Sequence, residues 1–302
     1  LLRKDFIIAI GSKLEAMARP LELIDQDIAE LEQAAQNLAG QFQKTYHHYL
    51  TALGQAVRQQ MILAGYHICT QGYPEHFLDL SLTQKQELQS QLRSIVKQAE
   101  AEAIALVEDP KPEDSPVVLV VEGLSDEGTP AQDISLVEEE LTPLEEIADP
   151  ENLAKWQDRI ESGIVKLLQQ VSHETNQVLH AAGIGAKNVP AMLLEAAEKL
   201  PNNEAIGGPP NLVTLTLEAQ GTEDLPQMPG LASLLKGPVH IMAVHLRLTD
   251  LEFADSRLSA SRGQIRTLSG RLNSLKRDYH QKQRERAIAQ AESAWRASWF
   301  ED

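Results

Sequence analysis

His173 and Glu174 open the run HETNQ, which differs from the zinc-protease signature H-E-x-x-H at its last position. That signature works because two imidazoles four residues apart share one helical face, with the glutamate beside them as base. Gln177 stands where the second imidazole is required, so His173 and His180 read as helix-surface or core-edge residues. The run GLSDEG (Gly123–Gly128) misses the spacing of a nucleophile elbow by one residue. The run GIGAK (Gly183–Lys187) follows a helical pattern, whereas a phosphate loop follows a strand. His67, Cys69 and His76, with His47 and His48 upstream, do not have the paired spacing of a zinc site and read as a buried thiol beside solvated histidines. No catalytic, cofactor-binding or metal-ligating residue is assigned on these patterns, and the chain is expected not to be an enzyme and to need no cofactor.

Three other constellations suit binding. The first is charge. Ser256–Arg286 carries nine basic residues, among them Arg257, Arg262, Arg266, Arg271, Lys276 and Arg277, against Asp278 and Glu285. The whole chain nonetheless has a net charge of −17, and most of it sits between Glu108 and Glu151, where fifteen carboxylates face only Lys111. The basic run therefore has three readings: a solvated helix face, a dock for the chain's own acidic segment, or a phosphate-binding surface. Without interleaved aromatics and in an acidic chain, nucleic acid is the less favoured partner. The second constellation is Trp295, Trp299 and Phe300, at the end of a chain with three tryptophans. They suit packing against the apolar Phe6–Ile10 patch, or docking to a protein partner, since tryptophan is enriched at interface hot spots. Glu292, Glu301 and Asp302 beside them disfavour an anionic membrane. The third is the apolar run at 117–121, with Val117, Leu119 and Val121 alternating, which could add to a sheet edge.

These residues need elements to hold them. Leu, Ala, Gln and Glu dominate, only 4% of residues are aromatic, and no apolar run reaches the ~20 residues of a membrane helix. The one cysteine, Cys69, excludes an intramolecular disulfide and fits a reducing compartment. From Ile24, apolar positions recur at steps of four and three (Ile28, Leu31, Ala35, Leu38, Phe42), then slip by one to Tyr46, Leu50, Leu53, Val57 and Met61. This predicts a helix over 21–63. A second helix is expected from a capping box at Thr83/Gln86 to about Val107. Capping signals at Thr142–Glu145 and Asp149–Asn152 start further helix, which Gly183 ends, and a short helix follows over 190–200.

The period then changes to two in NLVTLTLEAQ and in VHIMAVHLRL, the latter expected to continue through Leu248 after a bulge. A last long helix follows Asp255, with Ile265, Leu268, Leu272, Leu275 and Tyr279 on its seam. That seam turns polar at Lys282 and Arg286, while a shifted stripe carries Ile288, Ala291, Trp295 and Trp299. Gly263 and Gly270, seven apart, would let a neighbouring helix approach closely.

The expected fold is mainly α: long antiparallel coiled-coil-like helices, a small helical body and a short antiparallel β-ribbon. It divides into an N-terminal helical region (1–107), an acidic linker (108–141), a helical body with ribbon (142–255) and a C-terminal helix with aromatic tail (256–302). The seams would serve equally for pairing within a chain or in a homodimer. The runs KQRERAIAQAESAWRASWFED and HLRLTDLEFADSRL, with ICTQGYPEHFLDLSLTQKQELQSQLRSIVKQA, resemble a family of cyanobacterial proteins without assigned function. The resemblance implies a cytoplasmic or thylakoid-associated setting and no mechanism. The expected role is a cytoplasmic scaffold or adaptor binding a protein partner, with a nucleic-acid-associated regulator or a peripheral membrane factor as alternatives.

Overall fold

The computed structural model describes residues 21–108, 149–185, 211–217 and 239–298. In chain order these form α1 (Leu21–His67), a π-helical stretch (Ile68–Gly72), α2 (Pro74–Asp79), α3 (Leu82–Glu108), α4 (Pro150–Ala181), β1 (Leu212–Leu217), β2 (Val239–Val244), α5 (Leu248–Ala254) and α6 (Ser256–Ser298). The fold is mainly α with a two-stranded antiparallel ribbon. The expectations placed on 1–20, on the acidic segment up to Ala148, on the helix over 190–200 and on Trp299 and Phe300 lie outside the described residues.

Helices α1, α3, α4 and α6 form a four-helix bundle. Gly54 of α1 faces Glu100 of α3 and Gly65 faces Leu92, so α3 runs antiparallel to α1. Tyr46 meets Glu161 and Met61 meets Thr175, so α4 runs parallel to α1. Tyr49, Glu32 and Asp25 of α1 meet Arg262, Tyr279 and Arg286 of α6 in turn, so α6 is antiparallel. At the bundle's centre Trp156 stands edge-on to Phe42 and Tyr46, with ring centroids 6.4 and 5.7 Å away. Each such aromatic pair adds about 0.5–1.5 kcal/mol beyond the area it buries.

The one-residue slip in the α1 seam has a structural cause. Over its first turns α1 pairs, among the described residues, with the end of α6 alone as a two-helix stalk, and a narrow stripe of Ile24, Ile28 and Ala35 is buried. Higher up, α3 and α4 join, and the buried arc widens to include Tyr46, Tyr49, Leu50, Leu53, Gly54, Ala56 and Val57. The shift marks the passage from two helices to four. In the stalk, the polar seam positions of α6 are matched within the chain: Lys282 lies 3.2 Å from Asp27 and Arg286 lies 2.9 Å from Asp25.

Several boundaries differ from those the sequence suggests. Helix α1 runs four residues beyond Leu63 before passing into the π-helical stretch. The capping box that opens α3 is Ser81/Gln84, not Thr83/Gln86: Ser81 N donates to Gln84 Oε1 (2.9 Å), and Gln84 N donates to Ser81 Oγ (3.3 Å). Asp149 caps α4 by accepting from Glu151 N at 2.8 Å, and Gly183 ends it with φ +80°, a conformation glycine adopts without strain.

The expected strand through Leu248 stops at Val244. Asn176 of α4 accepts from Val244 N (2.8 Å) and donates to Val244 O (2.9 Å), while Leu246 N donates to Ser172 Oγ at 2.9 Å. Side chains of α4 thus take the backbone groups a further strand would use, and α5 begins at Leu248. The ribbon register pairs Leu212 with Val244 and Leu217 with Val239. Close helix approach also lies elsewhere than expected. A Cβ on Gly263 or Gly270 would meet nothing within 4 Å, whereas one on Gly54 would lie 3.4 Å from Glu100 Cα.

Candidate interaction face on the C-terminal helix

The nine basic residues of 256–286 separate into two groups once α6 is placed. Arg262 points inward. Its Nη1 donates to Glu161 Oε1 of α4 at 2.5 Å, its Nε to Glu252 Oε1 of α5 at 2.6 Å and its Nη2 to Tyr49 Oη of α1 at 2.7 Å. Tyr46 Oη donates to Glu161 Oε1 (2.6 Å) and Tyr49 Oη to Glu252 Oε1 (2.7 Å), so one guanidinium ties four helices together. Burial raises both phenol pKa values, and the adjacent carboxylates reinforce the shift. Burial alone would lower the pKa of Arg262, but its hydrogen bonds to Glu161 and Glu252 outweigh that and keep it charged.

Four more cations are engaged within the molecule. Lys276 lies 3.7 Å from Glu151, Lys282 and Arg286 pair in the stalk, and Arg257 lies 3.2 Å from Asp255. Asp255 is partly desolvated, which acts the other way, yet the hydrogen bonds and charge of Arg257 hold its carboxyl below its ordinary range. These members of the expected basic face support the fold.

Arg266, Arg271, Arg277 and Arg284 are exposed, and none is within ion-pair distance of a carboxylate among the described residues. At 100° per residue, Arg266, Arg277 and Arg284 fall within about 20° of one line along α6. Ile288 and Trp295, the shifted stripe of the sequence, extend that line and are 51% and 65% exposed. The buried Ile265, Leu268 and Leu272 lie on the opposite side. The outer face of α6 thus presents three arginines, then an isoleucine and a tryptophan, over ~44 Å. Arg271 points to a different side of the helix.

Val117, Leu119 and Val121, Trp299 and Phe300 lie outside the described residues. For strand addition, the ribbon itself is informative. Tyr73 Oη accepts from Met242 N at 3.0 Å and Asn176 bonds both backbone groups of Val244, so these positions on the outer edge of β2 are already engaged.

Sequence reasoning did not identify Glu161, Glu252 and Tyr49 as the partners of Arg262. They come from three segments up to 213 residues away, and no local spacing links them. The outward line from Arg266 to Trp295 was in principle available from the 18-residue, five-turn interval between Arg266 and Arg284. Among the described residues, no group of histidines, cysteines and carboxylates could hold a metal ion, and no helix is long and apolar enough to cross a membrane. The chain matches no protein-family model, no curated protein and no solved structure.

Proposed function

We propose that the protein is a non-catalytic helical adaptor, cytoplasmic in setting, that presents the outer face of α6 to a protein partner. The observation that carries this reading is the line of Arg266, Arg277, Arg284, Ile288 and Trp295 on the side of α6 opposite its buried seam. Tryptophan and arginine are the residue types that most often dominate interface energetics, and an isoleucine one helical repeat from the tryptophan extends the apolar contact. Helix α6 is held against α1 and α4 by ion pairs and a packed seam, so the face is preorganised and loses little entropy on binding.

A photo-crosslinking amino acid at Ile288, compared in cells with the same group at the exposed Val165 of α4, tests the reading. The expected result is a discrete protein adduct from position 288 that is lost in a Trp295→Ala variant. Adducts no different from those at position 165 would refute it. Adducts to nucleic acid, with a steep salt dependence, would favour the phosphate-binding alternative instead.

A further inference from the structure

We infer that the outer face of α6 pairs with the same face of a second copy of this chain, antiparallel and two-fold symmetric. This deepens the reading above, on which it rests, by naming the partner of that face.

The face is complementary to itself in shape. Its C-terminal half carries the large apolar residues Ile288 and Trp295, both exposed. Its N-terminal half carries Gly263 and Gly270, exposed positions where a Cβ would meet nothing within 4 Å, so the backbone lies bare there. At 100° per residue these four fall within about 20° of one line along the helix. The two glycines are seven residues apart, and so are Ile288 and Trp295. An antiparallel second copy, with the two-fold axis at the level of Tyr279, therefore sets Trp295 of each chain over Gly263 of the other. The same register sets Ile288 over Gly270. Each contact occurs twice, once on either side of the axis, as an isologous interface requires. Large side chains thus enter the depressions that the missing side chains leave, as knobs enter holes in a coiled coil. Among the described residues, no helix of the same chain packs on these glycines.

Charge agrees with that register. Arg266 of one copy stands level with Glu292 of the other, and Arg284 stands level with Ser274, whose small side chain leaves room for the guanidinium. The two copies of Arg277 are offset by ~6 Å along the helices, and each stands level with Gln281 of the other chain. Arg271 and Glu285 lie within about 40° of one line on a single flank of α6. Pairing brings Arg271 to within ~3 Å, along the helix, of the level of Glu285 of the second copy. A parallel arrangement would instead set Arg266, Arg277 and Arg284 each against its own counterpart, and opposed like charges disfavour that register.

The size of the face sets the strength. From Gly263 to Trp295 the strip is ~48 Å long and roughly 10 Å wide, so each copy buries on the order of 500 Å². A standard interface buries about 800 Å² per partner, so this association is weak and depends on concentration. Dilute protein is monomeric, and α6 then responds to substitution as a free helix face.

The test uses the purified full chain in sedimentation equilibrium over a broad range of concentrations. A reversible shift from the mass of one chain towards that of two is expected. Gly263→Leu/Gly270→Leu should abolish the shift by filling both depressions. Circular dichroism should stay helical in that variant, because leucine is a better helix former than glycine. Arg266→Glu should weaken association, and Arg266→Glu/Glu292→Arg should restore it. A photo-crosslinking group at Ile288, in a mixture of isotope-labelled and unlabelled chains, should join to the peptide around Gly270 of the other copy. A chain that stays monomeric throughout would overturn the inference. So would a dimer that survives the double leucine change, or adducts between copies that map away from Gly270. If such a monomer still gives a discrete adduct to a different protein in cells, the adaptor reading stands and self-pairing alone falls.

Discussion

Arg262 Nη1 of α6 stands 2.5 Å from Glu161 Oε1 of α4, joining two residues 101 apart in the chain. The same guanidinium holds Glu252 and Tyr49, and its side chain is only 11% exposed. Truncating it leaves two carboxylates facing each other across a desolvated site. An Arg262→Ala variant is expected to lose about 3–5 kcal/mol, the cost of breaking a buried ion pair from one side. Arg262→Lys should recover only part of this, because an ammonium cannot reproduce the fork that reaches Glu161, Glu252 and Tyr49 together. Urea unfolding followed by circular dichroism measures both. By contrast, Arg277→Ala on the outer face should change stability by less than about 0.5 kcal/mol.

The phenols of Tyr46 and Tyr49 give the same cluster a pH signature. Both pKa values are raised in the folded state by burial, above the ordinary value of 10.0. An acid whose folded pKa is raised contributes stability that is complete below its unfolded pKa and is lost as pH climbs towards the folded one. Stability should therefore be unaffected by these groups up to about pH 9 and fall from about pH 10 upward. Phenolate absorbance from these two residues should appear together with loss of helical signal. In a Tyr46→Phe/Tyr49→Phe variant the alkaline fall should be shallower. Titration of the wild-type chain with both signals recorded would sink the idea if phenolate formed fully before any unfolding.

The helices were legible because each carries its own periodicity: Ile265, Leu268 and Leu272 announce the buried side of α6 whatever they pack against. The antiparallel pairing of α1 with α6 was legible from their seams, but pairing within one chain was not, because Asp25 and Asp27 stand out as the partners of Arg286 and Lys282 only once the helices are in register. What sequence could not show was the sign of each cation's surroundings. Arg262 and Arg266 are four residues apart on one helix, yet one is the hub of a buried cluster and the other is exposed. That difference is set by Glu161 and Glu252, which only tertiary packing brings near. The ribbon's end was misjudged for a related reason. Alternation in VHIMAVHLRL favours a strand as far as Leu248, but Asn176 and Ser172 of a distant helix claim the backbone first. The glycines misled because a missing Cβ permits close approach without requiring it.

Asn176 should be among the most sensitive polar positions in the chain. It is 3% exposed and bonds both the N–H and the C=O of Val244. An alanine there orphans two buried backbone groups, each costing about 1–3 kcal/mol. Asn176→Ala is expected to destabilise the protein by about 2–4 kcal/mol. Amide hydrogen exchange localises the effect: protection at Val244 and Leu246 should fall well before that of the α1–α6 seam. Asn176→Asp should rescue poorly, since a carboxylate can accept from Val244 N but repels Val244 O.

Two glycine substitutions of the same chemistry should act in opposite directions. On α6, Gly270 is exposed and a Cβ there meets nothing within 4 Å, so Gly270→Ala gains helix propensity and should stabilise by about 0.5–1 kcal/mol. On α1, a Cβ at Gly54 would lie 3.0 Å from Glu100 Cγ and 3.4 Å from Glu100 Cα. The Glu100 side chain would have to give by a few tenths of an ångström, and overpacking of this kind costs about 1–3 kcal/mol. That outweighs the same propensity gain, so Gly54→Ala should be destabilised by up to ~2 kcal/mol and Gly54→Val by more. Thermal melts of the three variants decide the matter. If Gly54→Ala melts higher than wild type, α3 does not approach α1 as closely as the Glu100 contact requires. If Gly270→Ala melts lower, the outer face of α6 is covered in solution by something that fits against its backbone.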